Sequence, residues 1–260
     1  MLHIILLVSF VLFFTLMSII GVKQTKQLLK TDITEKVKIQ TYATTTFGLW
    51  IPVVALSLVV AFTDITFTNF GFTLPSFQLN PIITIIILVS AFLWSVFFLY
   101  MIIAFLVSAK HRRHRNEVLI KKESSHKYYD LVISKVMTPK TDKEKRWWLP
   151  LSLSAGICEE IIFRGAFVFL VASIFPDISI YLVLVIVVVL FGLGHFYQGM
   201  KGFLISTFVG AYFALIYIAT GTLIFVVVIH FLTDFANAFE YSDNANHQEG
   251  TDSNKGSYST

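Results

Sequence analysis

One cysteine, Cys158, stands among 260 residues, which excludes an intramolecular disulfide and any cysteine-built zinc cage. Next to Glu159, that thiol reads as a small buried hydrophobe rather than a nucleophile. Charge is scarce too: Asp, Glu, Lys and Arg make up 14% of the chain, against about a quarter of a soluble domain. No HExxH occurs, which removes the strongest zinc-protease motif. There is no internal repeat and no coiled-coil heptad, so the inverted-repeat signature of transporters has no support. The run Leu2 to Gly21 lacks a basic leading segment and an A-x-A cleavage pattern, and we read it as a retained helix rather than a signal peptide.

Apolar residues fill the place of the missing charge. The chain is 56% hydrophobic with 26 Phe and a mean hydropathy of +0.75. This composition predicts an integral membrane protein of all-α class, a polytopic transmembrane helix bundle of about seven spans with the lipid bilayer as its solvent. The net charge of +4 comes from lysines and arginines clustered in the loops, so it argues topology and no nucleic-acid partner. The short, Lys-rich chain points to a bacterial cell membrane. It implies no particular oligomeric state.

Spans are expected at Leu2–Gly21, Tyr42–Phe62, Pro81–Ala109, a fourth opening at Trp147 and Trp148, Ile178–Phe196, Phe203–Ala219 and Leu223–Phe239. Thr63 to Asn80 contains no Lys or Arg while both flanking segments are basic, which places that hairpin and the N-terminus outside. Lys110 to Arg146 is then cytoplasmic, Trp147 and Trp148 mark an interface, and Gly199 to Gly202 forms an inside turn. Three regions are expected: 1–146 with N-terminal helices and the basic loop 110–146, a helical core over 147–240, and a disordered polar tail over 241–260.

Against this background, ionisable residues inside apolar runs stand out: Glu159, Glu160 and Arg164, then His195, then His230 with Asp234. A charge near the bilayer centre costs at least about 2.5 to 3.5 kcal/mol on insertion scales, so such groups face a partner or a polar cavity. Glu160 and Arg164 are four apart and can pair on one helix face, while Glu159 is rotated by about a hundred degrees and is free for another task. His230 and Asp234 share the same spacing, which lets a carboxylate orient an imidazole or lets both address one atom. Phe191 lies one turn before His195, with Gly192 and Gly194 allowing close helix approach. Acids and imidazoles gathered in a membrane suit the activation of water. The competing readings are a transporter or proton relay, and a non-catalytic membrane adaptor or immunity protein.

Read together, Glu159-Glu160 to Arg164, Phe191 to His195 and His230 to Asp234 resemble the CPBP family of CAAX-protease and bacteriocin-processing intramembrane proteases, whose pattern is EExxxR, FxxxH and a histidine followed four residues later by Asn or Asp. The resemblance covers roughly Trp147 to Phe239. It implies an intramembrane endopeptidase acting on membrane-associated peptides or proteins, with relatives in CAAX processing, bacteriocin or pheromone maturation and self-immunity. On these positions it implies Glu159 as general base and His195 as a holder of the attacking water. His230 and Asp234 would stabilise the oxyanion, with Glu160, Arg164 and Phe191 in support. Asp234 departs from the Asn common in prenyl-protein proteases: Asn donates a hydrogen bond, whereas an ionised Asp only accepts one. It can instead orient His230 or carry a proton. A Glu-activated water needs no metal, and that reading is favoured. If a metal takes part, Zn2+ on Glu159, His195 and His230 is the expected set.

Overall fold

The computed structural model describes residues 1–31, 33–77, 79–109 and 128–236, and all regular structure among them is helical. Residues 110–127 of the expected basic loop 110–146, the last residues of the expected span Leu223–Phe239 and the expected tail 241–260 lie outside the described residues. The helices are α1 (Leu2–Leu28), α2 (Glu35–Phe62), α3 (Pro81–Ala109), α4 (Tyr128–Val132), α5 (Asp142–Glu160), α6 (Val168–Ile174), α7 (Ile180–Gly194), α8 (Gly199–Thr220) and α9 (Leu223–Ala236). Between α5 and α6 the chain stays helical, but over Ile161–Phe167 it widens into π-helical turns. Four helices among the described residues are long and apolar enough to cross a membrane: Leu2–Leu28, Glu35–Phe62, Pro81–Ile103 and Phe196–Thr220. Two shorter apolar helices are Ile180–Gly194 and Leu223–Ala236, and the α5–α6 run supplies the remaining element of the bundle.

Local chemistry sets the helix ends. The Thr34 hydroxyl accepts from Val37 N, so α2 starts at Glu35 rather than at Tyr42 as the apolar pattern suggests. Lys38 thereby lies in the first turns of a helix instead of a flanking loop. It is buried: its Nζ donates to Glu144 Oε2 at 3.0 Å and to Thr138 O at 2.6 Å. Thr141 caps α5 by accepting from Glu144 N, with Asp142 and Glu144 in the first turn suiting the positive helix end. Asn80 Oδ1 accepts from Ile82 N where Pro81 opens α3.

Two expectations are corrected. Gly199 to Gly202 is not a turn but the first turn of α8; the reversal occupies Phe196–Gln198, and Gly199 closes it at φ +83°. A Cβ there would also come within 2.9 Å of Tyr128, so the positive-φ residue at the junction of turn and helix has to be glycine. The fifth span accordingly stops at Gly194, leaving His195 at the helix end. The second correction concerns Trp148, which faces the bundle interior rather than its surface. It is buried against Tyr42 at 5.2 Å between ring centroids, and its indole N–H donates to Asp234 O at 3.2 Å. Its place between α2, α5 and α9 satisfies a polar ring inside the bundle.

Close approach places the helices that carry the polar residues. A Cβ at Gly156 of α5 would lie 3.0 Å from Phe231 N and 3.1 Å from Val227 O of α9. A Cβ at Gly192 of α7 would lie 3.1 Å from Phe203 O of α8. Small residues at these crossings let backbones touch where lipid offers no hydrophobic drive for association. The main core cluster includes Phe10, Phe70, Ile162, Phe163, Phe167, Val187 and Phe191.

Candidate active site

The cluster forms where α5, α7, α8 and α9 meet. Glu160 ends α5, and Arg164 follows in the π-helical turns, a distortion common at functional sites. Both side chains are fully buried, with Arg164 Nη1 3.0 Å from Glu160 Oε1. Arg164 Nη2 donates to Gly210 O of α8 at 2.8 Å. The guanidinium also sits 4.5 Å from the Phe191 ring centroid and 5.7 Å from that of Phe213, a geometry in which aromatic faces attract the cation. Gly210 is required here: a Cβ would come 2.8 Å from Phe191 Cδ1 and 3.2 Å from Arg164 Nη2.

Glu160 serves a second partner. His230 Nδ1 lies 2.7 Å from the same Oε1, so one carboxylate oxygen ties Arg164 and His230 to the end of α5. The Phe213 ring backs the imidazole at 5.0 Å between centroids. On its other edge, His230 Nε2 is 3.4 Å from Asp234 Oδ2 and 3.9 Å from Glu159 Oε2. His195 approaches from the end of α7 with Nε2 4.0 Å from that Glu159 oxygen. Its Nδ1 is 3.0 Å from Phe191 O. A carbonyl only accepts, so Nδ1 carries a hydrogen, and in the neutral tautomer the Nε2 lone pair faces Glu159.

All seven residues singled out by the sequence motifs therefore gather in one place. His195 follows directly on the end of α7 at Gly194 and there meets Glu159 of α5. Burial is graded. Glu160 and Arg164 are sealed, the Glu159 and His195 side chains are 15% and 20% exposed, and that of Asp234 is 34% exposed. The polar cluster thus opens on the side of Asp234.

Ligand chemistry and spacing point different ways for Zn2+. Two imidazoles with anchored Nδ1 atoms and a carboxylate suit the ion chemically. At metal–ligand bonds of about 2.0–2.1 Å, however, Nε2–Oε2 separations of 3.9 and 4.0 Å would need an angle of about 150° at the ion, far from tetrahedral. A hydrogen-bonded water about 2.8 Å from each atom would need about 90°. Among the described residues no group of three or more His, Cys, Asp or Glu is arranged to hold a metal ion.

An apolar cleft of about 190 Å³ lies between α1 and α7, walled by Phe14, Ser18, Phe163, Phe167, Leu193 and Gly194. It reaches the residues on both sides of His195, Gly194 and Phe196, yet contains no group able to activate water. Several contributors to the site carry no motif. Gly210, Phe213 and Trp148 belong to ordinary apolar patterns, and nothing in their spacing distinguishes them from lipid-facing or core positions.

Residues 143–236 match the Rce1-like family, described as type II CAAX prenyl endopeptidase Rce1-like. That segment contains all seven motif residues and coincides closely with the stretch over which the CPBP resemblance runs. No curated protein matches the chain, and no solved structure does.

Proposed function

From the Rce1-like domain over residues 143–236, a domain of the CAAX-type intramembrane protease family, we propose that this chain is an endopeptidase that hydrolyses peptide bonds of membrane-associated peptides or proteins with a glutamate-activated water. The observation that carries this reading is the position of Glu159 Oε2, 4.0 Å from His195 Nε2 and 3.9 Å from His230 Nε2. A water seated among these atoms gives one hydrogen to Glu159 and the other to the Nε2 lone pair of His195. As Glu159 takes the proton, the water oxygen bonds to the scissile carbonyl carbon and the carbonyl oxygen becomes an oxyanion beside His230. Collapse breaks the C–N bond, and Glu159 returns its proton to the leaving amine. The products are a carboxylic acid and an amine, with Glu159 restored.

Glu160 and Arg164 do not touch the reacting atoms in this scheme. They fix the His230 ring, whose Nδ1 hydrogen bond leaves only one edge facing Glu159. Asp234 Oδ2, 3.4 Å from His230 Nε2, attracts that edge and helps orient the ring. The apolar cleft beside His195 suits the hydrocarbon part of a client, in keeping with a prenylated or otherwise membrane-bound peptide. Bacteriocin or pheromone precursors, the clients of related enzymes, are accommodated by the same chemistry.

The test is cleavage of an internally quenched peptide ending in a prenylated Cys-aliphatic-aliphatic-X sequence by purified protein in proteoliposomes. Glu159→Gln keeps the shape and removes the base, and should lower turnover by about a hundredfold to ten-thousandfold with an unchanged melting temperature. Near-normal turnover in this variant would remove Glu159 as the base. A transporter would release no cleaved product at all.

A further inference from the structure

Oxyanion stabilisation needs hydrogen-bond donors, and this site is poor in them. Glu159, Glu160 and Asp234 as carboxylates only accept. The Arg164 Nη groups point at Glu160 and at Gly210 O. The Trp148 indole N–H is committed to Asp234 O, and the His195 Nδ1–H to Phe191 O. The Arg164 Nε–H has no partner but is sealed inside the bundle with its side chain, and His230 Nε2, the remaining donor to face a developing negative charge, is shared with Asp234 at 3.4 Å. An Asn at position 234 would add a donor, and Asp234 does not.

Two residues past His195, the phenol of Tyr197 stands in the right place. Its ring stacks on the His195 imidazole, with centroids 6.2 Å apart and planes at 29°. It thus stands beside the imidazole whose Nε2 is 4.0 Å from Glu159 Oε2. The buried side chain of Gln198 donates from Nε2 to the Tyr197 oxygen at 3.0 Å. That bond occupies an acceptor lone pair and leaves the phenol's own hydrogen to donate. The backbone is held as well: the Tyr128 hydroxyl donates to Tyr197 O at 3.0 Å, and Gly21 of α1 packs so closely that a Cβ there would touch Tyr197 Cβ at 3.4 Å. A donor fixed before the reaction stabilises charge without reorganising when it forms.

We propose that Tyr197 is a further catalytic residue whose hydroxyl donates a hydrogen bond to the oxyanion of the tetrahedral intermediate, filling the role that Asp234 cannot. The proton stays on the phenol throughout, so the step adds no atom to the balance given above. This inference rests on the endopeptidase reading. Tyr197→Phe removes one oxygen and keeps the stacked ring. In the peptide assay it should lower kcat about a hundredfold with KM nearly unchanged, as loss of a single oxyanion donor does, and leave the melting temperature alone.

A double-mutant cycle separates this role from a structural one. In an Asp234→Asn background the new amide can donate, and the loss caused by Tyr197→Phe should shrink below tenfold. An equal loss in both backgrounds, a kcat for Tyr197→Phe within twofold of the parent, or an Asp234→Asn background without turnover would each overturn the proposal. Glu159→Gln serves as the control for the underlying reading. If parent and Glu159→Gln release product alike, the endopeptidase reading fails. If Glu159→Gln is inactive while Tyr197→Phe is fully active, only the role of Tyr197 fails.

Discussion

Replacing Arg164 by alanine should remove much of the protein's margin of stability, because the Arg164 side chain is fully buried and answers to four groups at once. Its loss leaves the Glu160 carboxylate inside the bundle without its 3.0 Å cation, and Gly210 O without its 2.8 Å donor. Removing one partner of a buried pair costs about 3–5 kcal/mol, and the rings of Phe191 and Phe213 lose the cation they flank. For a chain of this size, 1 kcal/mol corresponds to roughly 2–4 °C, so a drop on the order of 10 °C is expected. Thermal unfolding of the purified protein in detergent, followed by loss of monodisperse protein, measures it. The double variant Glu160→Gln with Arg164→Met removes both charges while filling the volume, and should recover at least half of the loss, since apolar replacement of a whole buried pair is often close to neutral. A melting temperature for Arg164→Ala within about 2 °C of the parent would refute the reasoning, as would a double variant no more stable than the single one.

Gly156→Ala should separate α5 from α9 by a few tenths of an ångström, because its Cβ meets backbone at 3.0 and 3.1 Å; overpacking of this kind costs about 1–3 kcal/mol, and melting together with peptide turnover should both fall. Protein stripped by a strong chelator and shown metal-free by elemental analysis should retain its peptide cleavage; activity lost on stripping and restored by stoichiometric zinc would replace the glutamate-activated water by a zinc site on Glu159, His195 and His230. In a Cys158→Ala background, a cysteine at Leu74, which is 84% exposed, should react with a membrane-impermeant thiol reagent in intact cells, and one at Lys143 should be protected. The reverse pattern would turn the bundle over and move the Asp234 side of the site outside.

The order and spacing of Glu159, Glu160, Arg164, Phe191, His195, His230 and Asp234 were legible from the sequence because charged and imidazole groups are too costly in lipid to occur there without partners. Helix periodicity told the pairing of Glu160 with Arg164, since residues four apart share a face regardless of what surrounds them. The apolar composition likewise determined the class, an all-helical bundle, because backbone polar groups in a bilayer must be satisfied within the segment itself. The sequence could not say that Glu160 Oε1 also accepts from His230, nor that α7 ends where His195 meets Glu159. Those facts depend on where separate helices cross, and crossings are set by contacts such as Gly156 on α9 and Gly210 on Arg164. Lys38 and Trp148 show the same division. Lys38 precedes the apolar run and Trp148 was expected at an interface, yet both are buried where α2 packs on α5. Local periodicity depends on neighbours in the chain, whereas burial, tautomer and hydrogen-bond partner depend on neighbours in space, and only the folded bundle brings those together.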